Sequence, residues 1–287
     1  MSIINIINII NNSMYILLIL IFFWNLIIIF FKKKKYRKKV KEKIKVFNLG
    51  SSHSYFSFNY ENEKCQNFAD ISQTFYFDYI ILKKYFDRLM KNGYCFLVIS
   101  YFSFASKEYW VEEDLIKYYK FLDVSKFKGK YKLEYIIFNY LPLFWSIRKK
   151  INKRKKKNIN LKSDNRLKGQ VKKLEENKML NYNIELIEKI IKKCNEKSIK
   201  VILLTTPFTK YYNNFFSDDL LNKSFYSEIE KIREKYSLLY FDFSHDYINF
   251  NKEEYFADYD HVSEKGSKIF MKVLEKNLIE NNIKIDL

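Results

Sequence analysis

The uninterrupted apolar run Tyr94-Cys95-Phe96-Leu97-Val98-Ile99 constrains the fold more than any other stretch of the chain. Such a run, with no polar alternation, fits a strand buried on both faces, and a sheet containing it needs a helical layer on each side. Further strand-like segments fall near 44–49, 65–69, 200–205 and 238–243. Helical periodicity lies between them. Ser72–Asn92 carries apolar residues at Phe75, Tyr79, Leu82, Phe86 and Leu89, with Gly93 as its expected end. Ile184–Lys197, Leu220–Tyr236 and Ser263–Asn281 read as later helices, the last with Ser263 as N-cap. Strands that alternate with helices imply right-handed crossovers and a parallel sheet. The predicted fold class is therefore α/β: a three-layer α/β/α domain around a five-stranded parallel sheet. A chain of 287 residues has room for one such core plus appendages.

The chemistry sits at the ends of those strands. Val46-Phe47-Asn48-Leu49-Gly50-Ser51-Ser52 reads as a strand, a glycine turn and a hydroxyl at the mouth of a helix. Free backbone N–H groups and the positive end of the helix dipole favour a developing oxyanion there. The bland alternative is a serine that only caps the helix. Two hundred residues later, Asp258 and His261 stand three apart in Asp258-Tyr259-Asp260-His261 before the last helix, a spacing that lets a carboxylate orient an imidazole. Asp260 is the rival carboxylate; the spacing favours Asp258, and exchanging Asp260 for Asn is expected to do little.

These two motifs together resemble the SGNH/GDSL esterase and acyltransferase superfamily over roughly 46–282, in particular its membrane-anchored envelope members similar to the D-alanine transfer proteins of teichoic-acid synthesis. The resemblance implies an SGNH-hydrolase-like, flavodoxin-like domain with Ser52 as nucleophile, His261 as general base and Asp258 as its orienting carboxylate. It also implies an oxyanion hole from the backbone of Ser52 and from Ser72, which stands at a family glycine in Asn67-Phe68-Ala69-Asp70-Ile71-Ser72-Gln73-Thr74. The family's Gly-x-Asn-Asp is replaced by Ser100-Tyr101-Phe102-Ser103, which lacks the side-chain amide donor. Ser103 or Gln73 would have to substitute. No cofactor is required. The implied function is a membrane-anchored serine esterase or O-acyltransferase acting on an ester-linked acyl group of an envelope glycan or polymer. The alternative is a catalytically weak or inactive protein of the same fold that binds an anionic polymer.

Residues 1–31 read as a tail and transmembrane helix, 32–43 as a basic linker, and 44–287 as the hydrolase-like domain with a helical, basic insertion at about 105–182. Met14–Phe31 is broken only by Asn25 and would span about 27 Å as a helix, against a hydrocarbon thickness of roughly 30 Å. A cleavable signal peptide fits less well, because the run has no charged segment before it and no small-residue cleavage site after it. By the positive-inside rule, Lys32-Lys33-Lys34-Lys35-Tyr36-Arg37-Lys38-Lys39 would keep the domain in the cytoplasm. The resemblance implies the opposite side, and the expectation adopted is an extracytoplasmic domain.

The net charge of +19 would suit nucleic acid or anionic membrane, yet no zinc-finger spacing, RNP-type strand or helix-turn-helix pattern accompanies it. No nucleic-acid partner is expected. With only five Gly and two Pro among abundant Lys, Asn and Ile, part of that charge fits a compositional bias spread over solvated surface. Within the insertion, the apolar stretch Leu133–Ile147 precedes the basic run 148–157, an order that suits a cap over the substrate cleft or an anionic interface. Cys65, Cys95 and Cys194 are three, widely separated, and read as core residues rather than a disulfide framework or metal site. The other histidines, His53 and His245, read as a residue pointing away from the site and a loop residue, neither with metal-ligand company.

Overall fold

The computed structural model describes residues 3–35, 40–105, 115–120, 122–146 and 164–287. They fall into two compact units, one of 1–39 with 111–158, the other of 40–110 with 159–287.

The larger unit is an α/β domain on a five-stranded, all-parallel sheet, ordered β2-β1-β3-β4-β5. The strands are β1 (Ile44–Leu49), β2 (Cys65–Asn67), β3 (Leu89–Val98), β4 (Lys200–Thr205) and β5 (Leu239–Asp242). This is the flavodoxin-like order, in which ligands collect outside the carboxyl ends of the strands, at the β1/β3 switch point. Side chains alternate across the sheet. On one face Val46, Phe96, Val98, Ile202, Leu204 and Phe241 pack with Phe270, Met271, Leu274 and Leu278 of the last helix, Glu264–Glu280. On the other, Phe47, Leu49, Cys95, Leu97 and Leu203 are buried on the side of α3 (Phe75–Lys84) and the helix Leu180–Asn195, which pack together. Each fully buried Leu or Phe contributes on the order of 1.5–3 kcal/mol, so the two apolar faces hold the layers together. All three cysteines are buried and free, and burial pushes the Cys95 thiol well above its ordinary pKa, with Cys194 beside it.

The segment Ser72–Asn92 departs from the expected single helix. α3 stops at Lys84, a 3₁₀ turn covers Phe86–Arg88, and β3 begins at Leu89, paired with Ile44 before a shift in register. Gly93 lies inside this irregular strand rather than at a helix end. A Cβ there would stand 2.5 Å from the Lys45 carbonyl oxygen, so only glycine lets β1 come this close. The expected helix 220–236 is likewise divided, into Asp218–Leu221, a π turn over Asn222–Tyr226, and Ser227–Tyr236.

The smaller unit is built on α1 (Ile3–Lys35) and the helix Gly129–Tyr140. Within α1, the 21 residues Ile10–Phe30 are long and apolar enough to cross a membrane. Asn25 is the buried exception among exposed apolar side chains. Its amide donates to the Ile21 carbonyl at 2.8 Å and its oxygen accepts the Leu143 N–H at 3.1 Å, so its polar group is satisfied within protein. Residues 36–39 and the basic run 148–157 lie outside the described residues.

Candidate active site

Gly50 ends β1 with φ +128°, and its N–H donates to the buried Asp78 carboxylate at 2.9 Å. A Cβ there would meet Ser54 Cβ and the Val98 carbonyl at 3.0 Å, so the tight exit from the sheet needs a glycine. The turn delivers α2 (Ser52–Ser57), whose N-cap position is held by Ser51 with no side-chain capping bond. Ser52 is thus not a cap. Its Oγ lies 2.8 Å from His261 Nε2, and His261 Nδ1 lies 2.8 Å from both oxygens of Asp258. Asp258 Oδ1 also accepts the backbone N–H groups of Asp260 and His261 at 3.0 Å, which fixes the carboxylate by its own loop. A carboxylate can only accept, so Nδ1 carries the proton and Nε2 is left to accept the serine hydroxyl. The three residues singled out from the sequence therefore form one continuous hydrogen-bonded chain, with His261 and Asp258 side chains 12% and 17% exposed.

The loop that carries them is tied at its base. Phe256 and Val262 form an antiparallel bridge, Ala257 N–H donates to the His261 carbonyl at 2.8 Å, and Ser263 N–H donates to the Tyr255 carbonyl at 2.8 Å. Ser263 is the N-cap expected of it: its Oγ accepts the Gly266 N–H at 3.2 Å and donates to the Glu254 carbonyl at 2.6 Å. At Gly266 a Cβ would lie 2.0 Å from the Tyr255 oxygen, so the helix and loop are in backbone contact.

The expected oxyanion residues fare differently. The first-turn N–H groups of α2, including that of Ser52, have no acceptor within the helix by construction. Ser72 adopts φ +56°, the left-handed conformation that glycine enters most readily. Gln73 Nε2 is committed elsewhere, to the Phe68 carbonyl at 3.1 Å and Asp78 Oδ1 at 2.6 Å. Ser103 Oγ accepts the Ser100 N–H at 2.8 Å and is buried in a 3₁₀ turn.

Two sequence expectations are corrected here. Asp260 is not a bystander in the loop, and His53 does not point away. Asp260 is 1% exposed; His53 Nε2 reaches its Oδ2 at 3.0 Å, and Arg166 spans the carboxylate with Nη1 at 3.0 Å from Oδ2 and Nη2 at 2.5 Å from Oδ1. The other ring nitrogen of His53, Nδ1, meets Ser100 Oγ at 2.5 Å. The rings of His53 and His261 stack, with centroids 4.8 Å apart and planes 22° from parallel. Burial would push the Asp260 carboxyl up, but the His53 hydrogen bond and the surrounding cationic groups, Arg166 among them, hold it far below the usual carboxylate range. Burial pushes His53 down despite the pull of Asp260, so its ring is neutral near pH 7 and donates to Asp260 through Nε2–H while Nδ1 accepts from Ser100. Donor atoms of His53, Asp260 and His261 lie within 4.8 Å of one another, spacing that would suit a cation, but the Arg166 guanidinium already covers both Asp260 oxygens. Positive charge is supplied there by the protein itself.

A cavity of about 750 Å³ borders Asp258, its walls including Tyr211, Tyr247, Phe250, Phe256 and Tyr259, with Lys210 and Lys252 at its edge.

No family model matches the chain, and no curated protein does. Among solved structures it is similar to a protein named as an acylhydrolase candidate from Bacteroides fragilis, at 9% identity and TM-score 0.44, over 87% of this chain and 93% of that one. A GDSL-like lipase from Bacteroides thetaiotaomicron matches at 11% identity and TM-score 0.39, over 88% and 95%. A Streptococcus pneumonia protein named for platelet activating factor matches at 14% identity and TM-score 0.39, over 93% and 99%.

Proposed function

We propose that the protein is a membrane-anchored serine hydrolase or O-acyltransferase of the SGNH/GDSL type. The observation that carries this reading is the hydrogen-bonded chain Ser52–His261–Asp258 at the carboxyl ends of the strands. His261 Nε2 takes the serine proton as Ser52 Oγ attacks an ester carbonyl, Asp258 steadies the imidazolium, and the N–H groups opening α2 receive the oxyanion. Collapse of the tetrahedral species expels the alcohol, protonated by His261, and leaves an acyl-Ser52 ester. Water or another hydroxyl then takes the acyl group by the reverse steps. The aromatic cavity beside Asp258 suits a substrate with broad, ring-like faces, in keeping with an acylated envelope glycan or polymer. A fluorophosphonate probe should label the wild-type protein and leave Ser52→Ala unlabelled. Equal labelling of the two would refute the nucleophile.

One observation favours a second reading, a binding protein that keeps the fold with little turnover. The Gln73 amide, which could replace the missing side-chain oxyanion donor, is already committed to Phe68 and Asp78. Losing one such donor costs on the order of 100- to 1,000-fold in rate. Absent turnover alongside tight binding of an anionic polymer would select this reading.

The anchor in this proposal is α1, with the catalytic domain outside the cytoplasmic membrane. Deleting residues 1–31 should move the protein from the membrane to the soluble fraction. A cysteine introduced at an exposed position beyond residue 210 of the full chain should react with an impermeant maleimide on intact cells; reaction only after permeabilisation would place the domain inside.

A further inference from the structure

Two carboxylates, not one, face the imidazole of His261. Asp258 takes Nδ1 at 2.8 Å, while Asp260 Oδ1 stands 3.5 Å from the same nitrogen. We propose that Asp260 is a positioning residue for His261: held in place by Arg166 and His53, it supplies a second fixed negative charge that favours the imidazolium formed when Ser52 is deprotonated. The inference rests on the reading of His261 as the general base.

The geometry supports a fixed charge rather than an incidental contact. The Arg166 fork takes both oxygens of Asp260 and the His53 N–H takes Oδ2, three hydrogen bonds that hold the carboxylate in place while Asp258 keeps Nδ1. His53 is anchored in turn by Ser100, at the exit of β3, so the arrangement ties the carboxyl ends of β1 and β3 to the loop after β5. The stacked His53 ring closes one face of His261, and Phe56 meets it edge-on with centroids 5.4 Å apart. His261 can therefore neither rotate away nor flip without disturbing a buried group.

Among the described residues, the charged and titratable groups around His261 and Asp260 include Asp258 from their own loop, Ser52 and His53 from α2, Arg166 from the helix Asp164–Glu176, and Tyr212 from the helix Lys210–Asn213. Tyr212 donates to Gln170 Oε1 at 3.1 Å, and burial, with Asp260 nearby, keeps its hydroxyl protonated. His53 is fully enclosed and resists a charge, whereas the His261 side chain keeps 12% exposure. Both rings face Asp260, and His261 is the one that also meets Ser52, so its titration is the one that reports on the proposed base.

The test is a titration of the histidine rings by NMR, on the full chain in detergent micelles with ¹⁵N-labelled histidine, which gives only three ring systems to resolve. Asp260→Asn keeps the shape and hydrogen-bonding oxygen but removes the charge, and the His261 midpoint should fall by about one pH unit. Arg166→Gln leaves the Asp260 charge less compensated, and the midpoint should rise. The acid limb of fluorophosphonate labelling at Ser52 should move in the same two directions. A purely structural role would lower labelling in both variants without moving either midpoint, and that result overturns the proposal. If Asp260→Asn fails to fold, Arg166→Gln decides alone, and an unmoved or lowered His261 midpoint overturns it. Absence of labelling in the wild type would refute the serine-enzyme reading, while the ring titrations would still decide whether Asp260 acts on His261.

Discussion

Ser52→Ala and His261→Ala should each abolish turnover of an activated ester such as p-nitrophenyl acetate, with kcat falling on the order of a million-fold, and the double variant should be hardly worse than either single one. Non-additivity is the informative part. In the proposed mechanism the serine is a useful nucleophile only while its proton has somewhere to go, and the imidazole has no proton to take once the serine is gone; the 2.8 Å contact between them is what would make the pair act as one unit. Asp258→Asn should cost less, on the order of 10⁴-fold, because it disturbs the imidazole tautomer but leaves the nucleophile and backbone donors in place. Steady-state kinetics on the four variants checks all of this. Additive losses for Ser52→Ala and His261→Ala would mean that the two act separately.

The largest effect on stability is expected at Arg166. Arg166→Leu leaves the carboxylate of Asp260, 1% exposed, without its fork of donors, and stripping one partner from a buried pair typically costs about 3–5 kcal/mol. Denaturant unfolding should show that loss, and pairing Arg166→Leu with Asp260→Leu should recover much of it, since no buried charge then remains. The same cluster sets the response to acid. Asp260 has its folded pKa depressed, so its contribution is complete above the unfolded carboxylate value near 4 and fades as pH falls below it. His53 also has a depressed folded pKa, and below about 6.5 the unfolded chain takes up a proton that the native ring refuses. Both groups destabilise in the same direction, the histidine first, so stability should begin to decline below about pH 6.5 and fall further near pH 4. A stability curve flat from pH 7 to 5 would contradict the neutral, buried His53.

The parallel sheet was legible because its strands are apolar on both faces, and Ser52, Asp258 and His261 because motif spacing survives in a linear sequence. Leu89 continues a helical period in the sequence, yet its pairing with Ile44 and the left-handed backbone at Asn92, φ +54°, inside the irregular strand place it in β3. The group around Asp260 was hidden for a different reason. Arg166 and Asp260 are 94 positions apart, and the arginine lies in a Lys-rich insertion that reads as solvated surface. A signal was present nonetheless. Arg166 is one of only six arginines among the 52 basic residues, and a planar, two-pronged guanidinium suits a two-oxygen carboxylate partner where a lysine would not. His53 gave another, as one of only three histidines and the immediate neighbour of the proposed nucleophile.

The knot of backbone contacts joining Glu254, Tyr255 and Ala257 to Ser263, Gly266 and His261 has a bearing on how the protein fails. Segments that hold catalytic groups often fray before the body of the domain, since loops open locally at little cost. Here the segment bearing Asp258 and His261 shares its hydrogen bonds with the first turn of a 17-residue helix, Glu264–Glu280, whose Phe270, Leu274 and Leu278 are sealed in the core. The loop cannot open without loosening the helix, and the helix cannot loosen without exposing one face of the sheet. Alignment of the site is thereby underwritten by the global folding transition, and the entropy of fixing the imidazole is spent once, during folding, rather than at each encounter with substrate.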